Sequence, residues 1–484
     1  MTEKSHYFET FSLSFQKSVL IIICATAGFS PHYIELLNRK DMAGFEESYR
    51  NILISKLNDL EKEAERFVMS PRRDFSRRRK LPFAETMKTV LYMEGNSLNK
   101  ELCDLYNLQP DSDRFITKSA FVQQRGKIRH EAFKEAFRRF NVDTGMNDLN
   151  LYQGHRLLAV DGSDVNIALN PDSDTYFPPN NRSDTGYNQM HLNALYDILN
   201  NTFLDCIVQS APKEHEVEAA RMMVKRLPKS SCHTIVIADR GYASLDLMET
   251  IRDQNAEFLF RVPNGFISEL ALMPMTEFDT DISFTIVTEQ TNEAKRLIAE
   301  GKAKSMIGPS KFGKRKKNVT WYHSSQYLMK LRAVRFQLDT GEYETLVTSL
   351  DRNRFPVDRM KEVYHLRWGI ETSFRWLKYA IGMTNFHSRK EESIKQEIFA
   401  RLLMYNFCAR IANSVIIEQP GENIHVYKVN FSQAIHICFS FLKNSLDIDI
   451  RELIRRYVEP VRPGRSDKRK LRPKGVICFN YRVA

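Results

Sequence analysis

Tyr364, Arg367, Glu371 and Lys378 place a phenol, a guanidinium, a carboxylate and an ammonium within one short segment. At roughly 100° per residue in a helix, these four fall within about 60° of one another. Val363, Leu366, Ile370, Phe374 and Leu377 form an apolar stripe beside them, the pattern of a helix packed on a core. A carboxylate set among cations suits a site that holds a metal ion and phosphates together. Two further acids invite the same reading. Asp161 ends the apolar run Leu157-Leu-Ala-Val, and Asp239 ends Thr234-Ile-Val-Ile-Ala. Each run reads as a buried strand whose C-terminal end presents a carboxylate. Such ends can lie side by side in a mixed sheet. A third acid on a helix packed over them completes a hard-oxygen set for Mg²⁺ or Mn²⁺. Two such ions about 4 Å apart activate a water or a 3′-hydroxyl and stabilise the leaving oxygen of a phosphodiester. Strand-end aspartates also cap helices and turns, so the pair gains meaning from the Glu371 stripe.

The elements that must carry these residues follow from periodicity. Residues 1–145 read as helical. Within them, stretches at 99–108 and 118–128 flank a polar turn at 110–113, a helix-turn-helix pattern with Ser119, Gln123, Gln124 and Arg125 as candidate readers of DNA. From Arg156 the pattern becomes strand, hairpin around Asn200-Asn201, helix at 214–227, strand, helix at 244–255 and strand at 257–262. Residues 264–345 hold short β-like pieces and a helical patch at 292–300. Pro356 opens a long helix that carries Glu371, an apolar helix covers 392–418, and two more follow at 432–444 and 449–457. Asp164 reads as a turn cap, and His215 and Glu216 as the opening of a helix.

A formal net charge of +11 points to a polyanionic partner. The basic residues cluster in three runs: Arg72 to Lys80, Lys311 to Lys317 and Arg462 to Lys474. Each suits sequence-independent phosphate binding, and each alone also suits a solvated loop. The seven cysteines are scattered, odd in number and without C-x-x-C spacing, which argues for a reducing compartment rather than a disulfide framework or structural zinc. The run Val19 to Ala27 is too short to span a bilayer, so no membrane association is expected.

The spacing Y-x-x-R-x-x-x-E-x-x-x-x-x-x-K at 364–378 resembles the signature of the IS-four family of bacterial insertion-sequence transposases. Asp161 in Leu-Ala-Val-Asp-Gly-Ser resembles the family's first acid, Asp239 in Ile-Ala-Asp-Arg-Gly-Tyr the second, and Glu371 the third. Asn385-Phe-His387-Ser388, Leu402–Asn406 and Lys118–Arg125 also look like family segments, so the similarity runs from about 115 to 410. It implies an α/β fold: an RNase H-like catalytic core with a mostly β insertion, flanked by N- and C-terminal helical regions. The expected division is a DNA-binding region at 1–148, the core at 149–263 and 346–420, the insertion at 264–345, and a helical region with a basic tail at 421–484. It implies a DDE transposase in which Asp161, Asp239 and Glu371 hold two Mg²⁺ or Mn²⁺ ions, and Tyr364, Arg367 and Lys378 grip transposon-end phosphates. Arg240, beside Asp239, becomes a candidate phosphate contact or ion-pair partner. Arg125 remains a candidate DNA contact, Trp321 a candidate platform for a flipped base, and His387 a side chain approaching the site. The implied partners are inverted-repeat ends and target DNA, bound by a homodimer in a bacterial cytoplasm and associated with the nucleoid when bound. The rival readings are another RNase H-like DNA nuclease and a non-catalytic DNA-binding remnant.

Overall fold

The computed structural model describes residues 45–481 apart from 78, 108–114, 146–148, 182, 229–231, 290, 306–320, 339, 418–425, 445–448 and 462–479. The Lys311–Lys317 and Arg462–Lys474 runs and the Val19–Ala27 segment lie outside these residues. Among the described residues no helix is long and apolar enough to cross a membrane.

The N-terminal part is helical, with α1 (Phe45–Lys62), α2 (Phe83–Tyr92), α3 (Leu98–Leu102), α4 (Lys118–Arg125) and α5 (His130–Thr144). Thr117 caps α4 by accepting from Ala120 N, which satisfies one of the donors a helix start leaves open. Phe133, Ala136, Phe137 and Phe140 give α5 a buried stripe at helical spacing.

The rest is built on one large mixed sheet. Its strands are β1 (His155–Ile167), β2 (Tyr176–Phe177), β3 (Tyr187–Asp197), β4 (Thr202–Ser210), β5 (His233–Ala238), β6 (Ala256–Arg261), β7 (Phe278–Val287), β8 (Ala303–Ser305), β9 (Gln326–Gln337) and β10 (Tyr343–Thr348). The order is β2-β3-β1-β5-β6-β10-β9-β7-β8, with β4 also paired to β3. β1, β5 and β6 run parallel, while β1 and β3 are antiparallel. Leu157 and Ala159 enter one core and Leu158 and Val160 the other, as expected of a strand covered on both faces. Strands from 264–345 therefore continue the sheet: β10 pairs with β6, which would otherwise present an open edge. Asn201 adopts φ 49° in the turn before β4, a left-handed conformation that Asn tolerates.

Helices α6 (Glu216–Lys225) and α7 (Leu245–Asp253) cover the second face, with the short α8 (Ser268–Leu272) and α9 (Asn292–Ala299) following in the chain. The first face carries α10 (Val357–His365), α11 (Trp368–Arg375) and α12 (Glu391–Asn413).

Two expectations are corrected. β1 does not stop at Asp161 but runs on to Ile167, because Asp161 to Ile167 continue the antiparallel ladder with β3. Asp164 is thus a strand residue, not a turn cap. The long helix from Pro356 is also interrupted. Arg367, Gly369 and Ile370 donate to the carbonyls three residues back, a tightened turn that separates α10 from α11. A π turn covers Trp376–Ala380.

Arg125, expected as a DNA contact, instead ties the N-terminal helices to α12. It is 3% exposed. Its guanidinium pairs with Glu397 at 3.0 Å and donates to Gln396 at 2.8 Å and to the Ser393 carbonyl at 2.6 Å. Glu397 also accepts from His387 Nδ1 at 3.0 Å, so His387 belongs to this buried network. Gln124 is buried as well, donating to Leu81 O, while Ser119 and Gln123 are exposed.

Burial alone would push the Glu397 carboxyl up, but the charges of Arg125, His387 and Arg401 pull it down to about 2 from its ordinary 4.5. Its stabilising contribution is therefore complete above pH 4.5 and fades as pH falls toward about 2. Glu397→Gln leaves Arg125 buried without its counter-charge and is expected to cost ~3–5 kcal/mol. Thermal melts of the full chain check this: the variant melts several degrees lower at neutral pH and loses less than the native chain on acidification.

Candidate acidic centre

The parallel register of β1 and β5 sets Val160 opposite Ala238, so Asp161 and Asp239 are the next residues on neighbouring strands. Alternation along each strand turns both toward the first face, where Leu157, Ala159, Ile235 and Ile237 pack in the same core as Ile370 of α11. β5 ends at Ala238, and Asp239 caps the turn Arg240–Tyr242 by accepting from Arg240 N at 2.7 Å.

Glu371 reaches this place from α11. Arg367 stands between it and the first strand acid: one guanidinium nitrogen is 2.8 Å from Glu371 Oε1 and another 3.5 Å from Asp161 Oδ2. Tyr364 Oη donates to Asp239 Oδ1 at 3.4 Å. The sequence signature thus folds so that Tyr364 meets one strand acid while Arg367 links the other to Glu371. Lys378 is half-buried on the π turn; burial lowers its pKa while the charge of Asp164 opposes the shift. That places Lys378 toward the continuation of β1.

Burial pushes the Asp161 carboxyl up to about 6, with Glu371 and Asp239 adding to the rise, and the Gly162 N–H and Arg367 opposing it. Burial also works against the Arg367 charge, but the Glu371 hydrogen bond and the Tyr364 and Asp161 charges outweigh it and raise its pKa. The site links carboxylates from two neighbouring strands and a helix: Arg367 faces Asp161 and Glu371, and Tyr364 meets Asp239.

The other expected residues fall differently. Arg240 is exposed beside Asp239. Trp321 packs edge-on against His323 and Tyr327, and its indole N–H donates to Ser324 O at 2.9 Å. Its neighbours Tyr322 and His323 contact Asp246 of α7, so the structure seats Trp321 by the second core, partly buried, and brings it into no contact with the three acids.

Residues 152–407 match the family described as the transposase DDE domain. The chain belongs to the transposase DDE domain family. It is 22% identical over 341 residues to the transposase InsG for insertion sequence element IS4 of Escherichia coli (strain K12), a match spanning 68% of this chain and 70% of that protein. The match supports an IS4-type DDE transposase. A solved piggyBac transposase synaptic complex with hairpin DNA aligns with a TM-score of 0.44 and 12% identity over 87% of this chain and 85% of that one.

Several residues of the transposase's centre escaped sequence reading. Arg261 ends β6, one strand beyond β5, and lies 3.9 Å from Asp239 Oδ1 and 2.9 Å from Glu344 Oε1. An arginine closing the strand next to Asp239 was the available signal. His191 of β3 lies under β1, with Nδ1 2.7 Å from Asp164 Oδ1 and 2.9 Å from Glu214 Oε2, and Nε2 3.3 Å from Glu216 Oε1. Burial opposes its charge, but Asp164, Glu216 and Glu214 raise it to about 10. No local motif marks a histidine whose three carboxylates arrive from β1 and the start of α6.

Arg367→Met in the transposase removes the cation that favours ionised Asp161, so the Asp161 carboxyl rises above about 6. An acid that ligates Mn²⁺ must be unprotonated, so the prediction holds if Asp161 is such a ligand. The pH at which Mn²⁺ affinity is half lost therefore moves upward in the variant, as measured by titration calorimetry across pH 5–8.

Proposed function

We propose that the transposase binds the terminal inverted repeats of its own insertion sequence and carries out metal-dependent DNA cleavage and strand transfer as an RNase H-like DDE enzyme. The observation that carries this reading is that one segment meets all three acids: Arg367 faces Asp161 and Glu371, and Tyr364 donates to Asp239. The carboxylates suit a pair of Mg²⁺ or Mn²⁺ ions: all are hard oxygen donors, and Glu371 and Asp239 add to the rise that burial gives the Asp161 carboxyl. Bound there, the ions supply Lewis-acid stabilisation of an attacking and a leaving oxygen at phosphorus.

The chain's own residues position the DNA. Tyr364 and Arg367 meet the acids, and with Lys378 of the same segment they suit the phosphates flanking the reacting bond. Arg240, exposed on the turn that Asp239 caps, suits a further phosphate. Arg367 also holds Asp161 and Glu371 in a fixed relation before DNA arrives, so less ordering remains to be done at the reactive step. The exposed face of α4, with Ser119 and Gln123, lies near the Arg72–Lys80 loop: Gln124 of α4 donates to Leu81, and Lys127 lies over the Phe75 ring. This face suits phosphate-dominated DNA binding by the helical region 1–148. The remaining division is a core of 149–263 and 346–420, a β-rich segment at 264–345 and a helical region at 421–484. A homodimer on paired ends and action in the bacterial cytoplasm complete the proposal.

Asp161→Asn, Asp239→Asn and Glu371→Gln are each expected to lower strand cleavage by at least about a thousandfold, the scale on which removal of essential catalytic groups registers. Gel-shift affinity for the inverted repeat stays within a few-fold. Normal cleavage by all three variants would contradict the assignment. Joining of a 3′-hydroxyl end to a target duplex separates the transposase from a nuclease that cuts only.

A further inference from the structure

Glu216 approaches the two strand acids from the sheet face opposite Glu371. Its helix α6 packs through Ala220, Met223 and Val224 on the core that holds Leu158 and Val160, whereas Ile370 of α11 belongs to the other core. The carboxylate lies where two glycines leave space. A Cβ on Gly162 would stand 2.4 Å from His191 Nε2 and 2.9 Å from Glu216 Oε1, and one on Gly241 would stand 3.4 Å from Glu216 Oε2. Gly162 follows Asp161 and donates its N–H to Asp161 Oδ1 at 2.8 Å. Gly241 lies in the turn that Asp239 caps. One carboxylate therefore borders the side-chain space of the glycines beside both strand acids. His191 is 5% exposed and faces Glu216 at 3.3 Å, so Glu216 is held from behind. Tyr242, 2% exposed, brings a hydroxyl that has no hydrogen-bond partner among the described residues. After burial, the charges that bear on it are those of Glu216 and then Asp161.

We propose that Glu216, braced by His191, is a positioning residue of the metal centre: it wedges between the backbone at Gly162 and Gly241 and fixes the separation of Asp161 and Asp239. Without it, the end of β5 and the middle of β1 are joined only by a ladder that stops at Val160 and Ala238. Emptying that space would let the two backbones shift and change the separation of the carboxylates. The inference rests on the reading of Asp161, Asp239 and Glu371 as metal ligands.

The test is Mn²⁺ binding to the full chain by calorimetry, alongside thermal melts and the half-saturating Mn²⁺ concentration for strand cleavage. Glu216→Ala is expected to raise the Mn²⁺ Kd about 10–100-fold, the range for groups that orient metal ligands, while Glu216→Gln, which keeps the shape, stays within about threefold. The half-saturating Mn²⁺ concentration rises with the Kd, and cleavage recovers when Mn²⁺ is raised, which a purely structural defect would not allow. Gly162→Ala, which leaves every charge in place but drives a methyl into His191 and Glu216, is expected to weaken binding likewise; it serves as the readout if Glu216→Ala does not fold. Unchanged Kd in Glu216→Ala, or in Gly162→Ala where that stands in, overturns the inference when Asp161→Asn has lost Mn²⁺ binding. Unchanged binding in Asp161→Asn instead removes the metal-centre reading itself, and the inference with it.

Discussion

Carboxylates brought close together repel one another, and the Arg367 guanidinium is the cation the fold sets between Asp161 and Glu371. Two unit charges 4 Å apart interact by about 4 kcal/mol at the effective dielectric of a protein surface, a large share of the stability of an ordinary domain. Arg367 offsets part of that cost by facing Asp161 and Glu371 together. Burial works against its charge, and the Glu371 hydrogen bond and the neighbouring Asp161 offset that cost. Neither side of the arrangement is comfortable without the other. The tightened turn at Leu366–Ile370 belongs to the same constraint, since it is where Arg367 leaves α10 and Glu371 enters α11.

The scaffold beneath is rigid for reasons unrelated to chemistry. β1 is buried on both faces over Leu157–Val160 and paired on both edges, to β3 and β5. A one-residue slip of β5 against β1 would turn its apolar set onto the wrong face, so hydrophobic burial fixes the register that brings Asp161 beside Asp239. From the far side, α12 links this sheet to the N-terminal helices through the buried Arg125, Glu397 and His387. A DNA contact made by α4 would thus be transmitted to a helix that packs against the same core as α11.

Much of this was legible in the sequence because it depends on local pattern. The two apolar runs ending in acids, the apolar stripe of 363–377 and the Asn200-Asn201 turn each follow from side-chain periodicity and backbone preference. The failures share a cause: they turn on partners distant in sequence. β1 continues past Asp161 because β3 offers it a ladder, which the polar stretch Gly162-Ser-Asp164 gave no reason to expect. Arg125 looked like a DNA reader on an amphipathic helix, but its counter-charge lies 272 positions later, at Glu397. The Pro356 helix was expected to be continuous, since its break is a change of hydrogen-bond register rather than a proline. Glu216 does open α6 as expected, but only the folded chain sets it against Gly162 and His191.

As proposed, Asp161, Asp239 and Glu371 form one metal-binding centre. Crystals of the full chain grown with MnCl₂ and measured at the manganese absorption edge test it most directly. Anomalous density bounded by the three carboxylates is the expected result. Manganese bound elsewhere, with Glu371 turned away from Asp161, would contradict it.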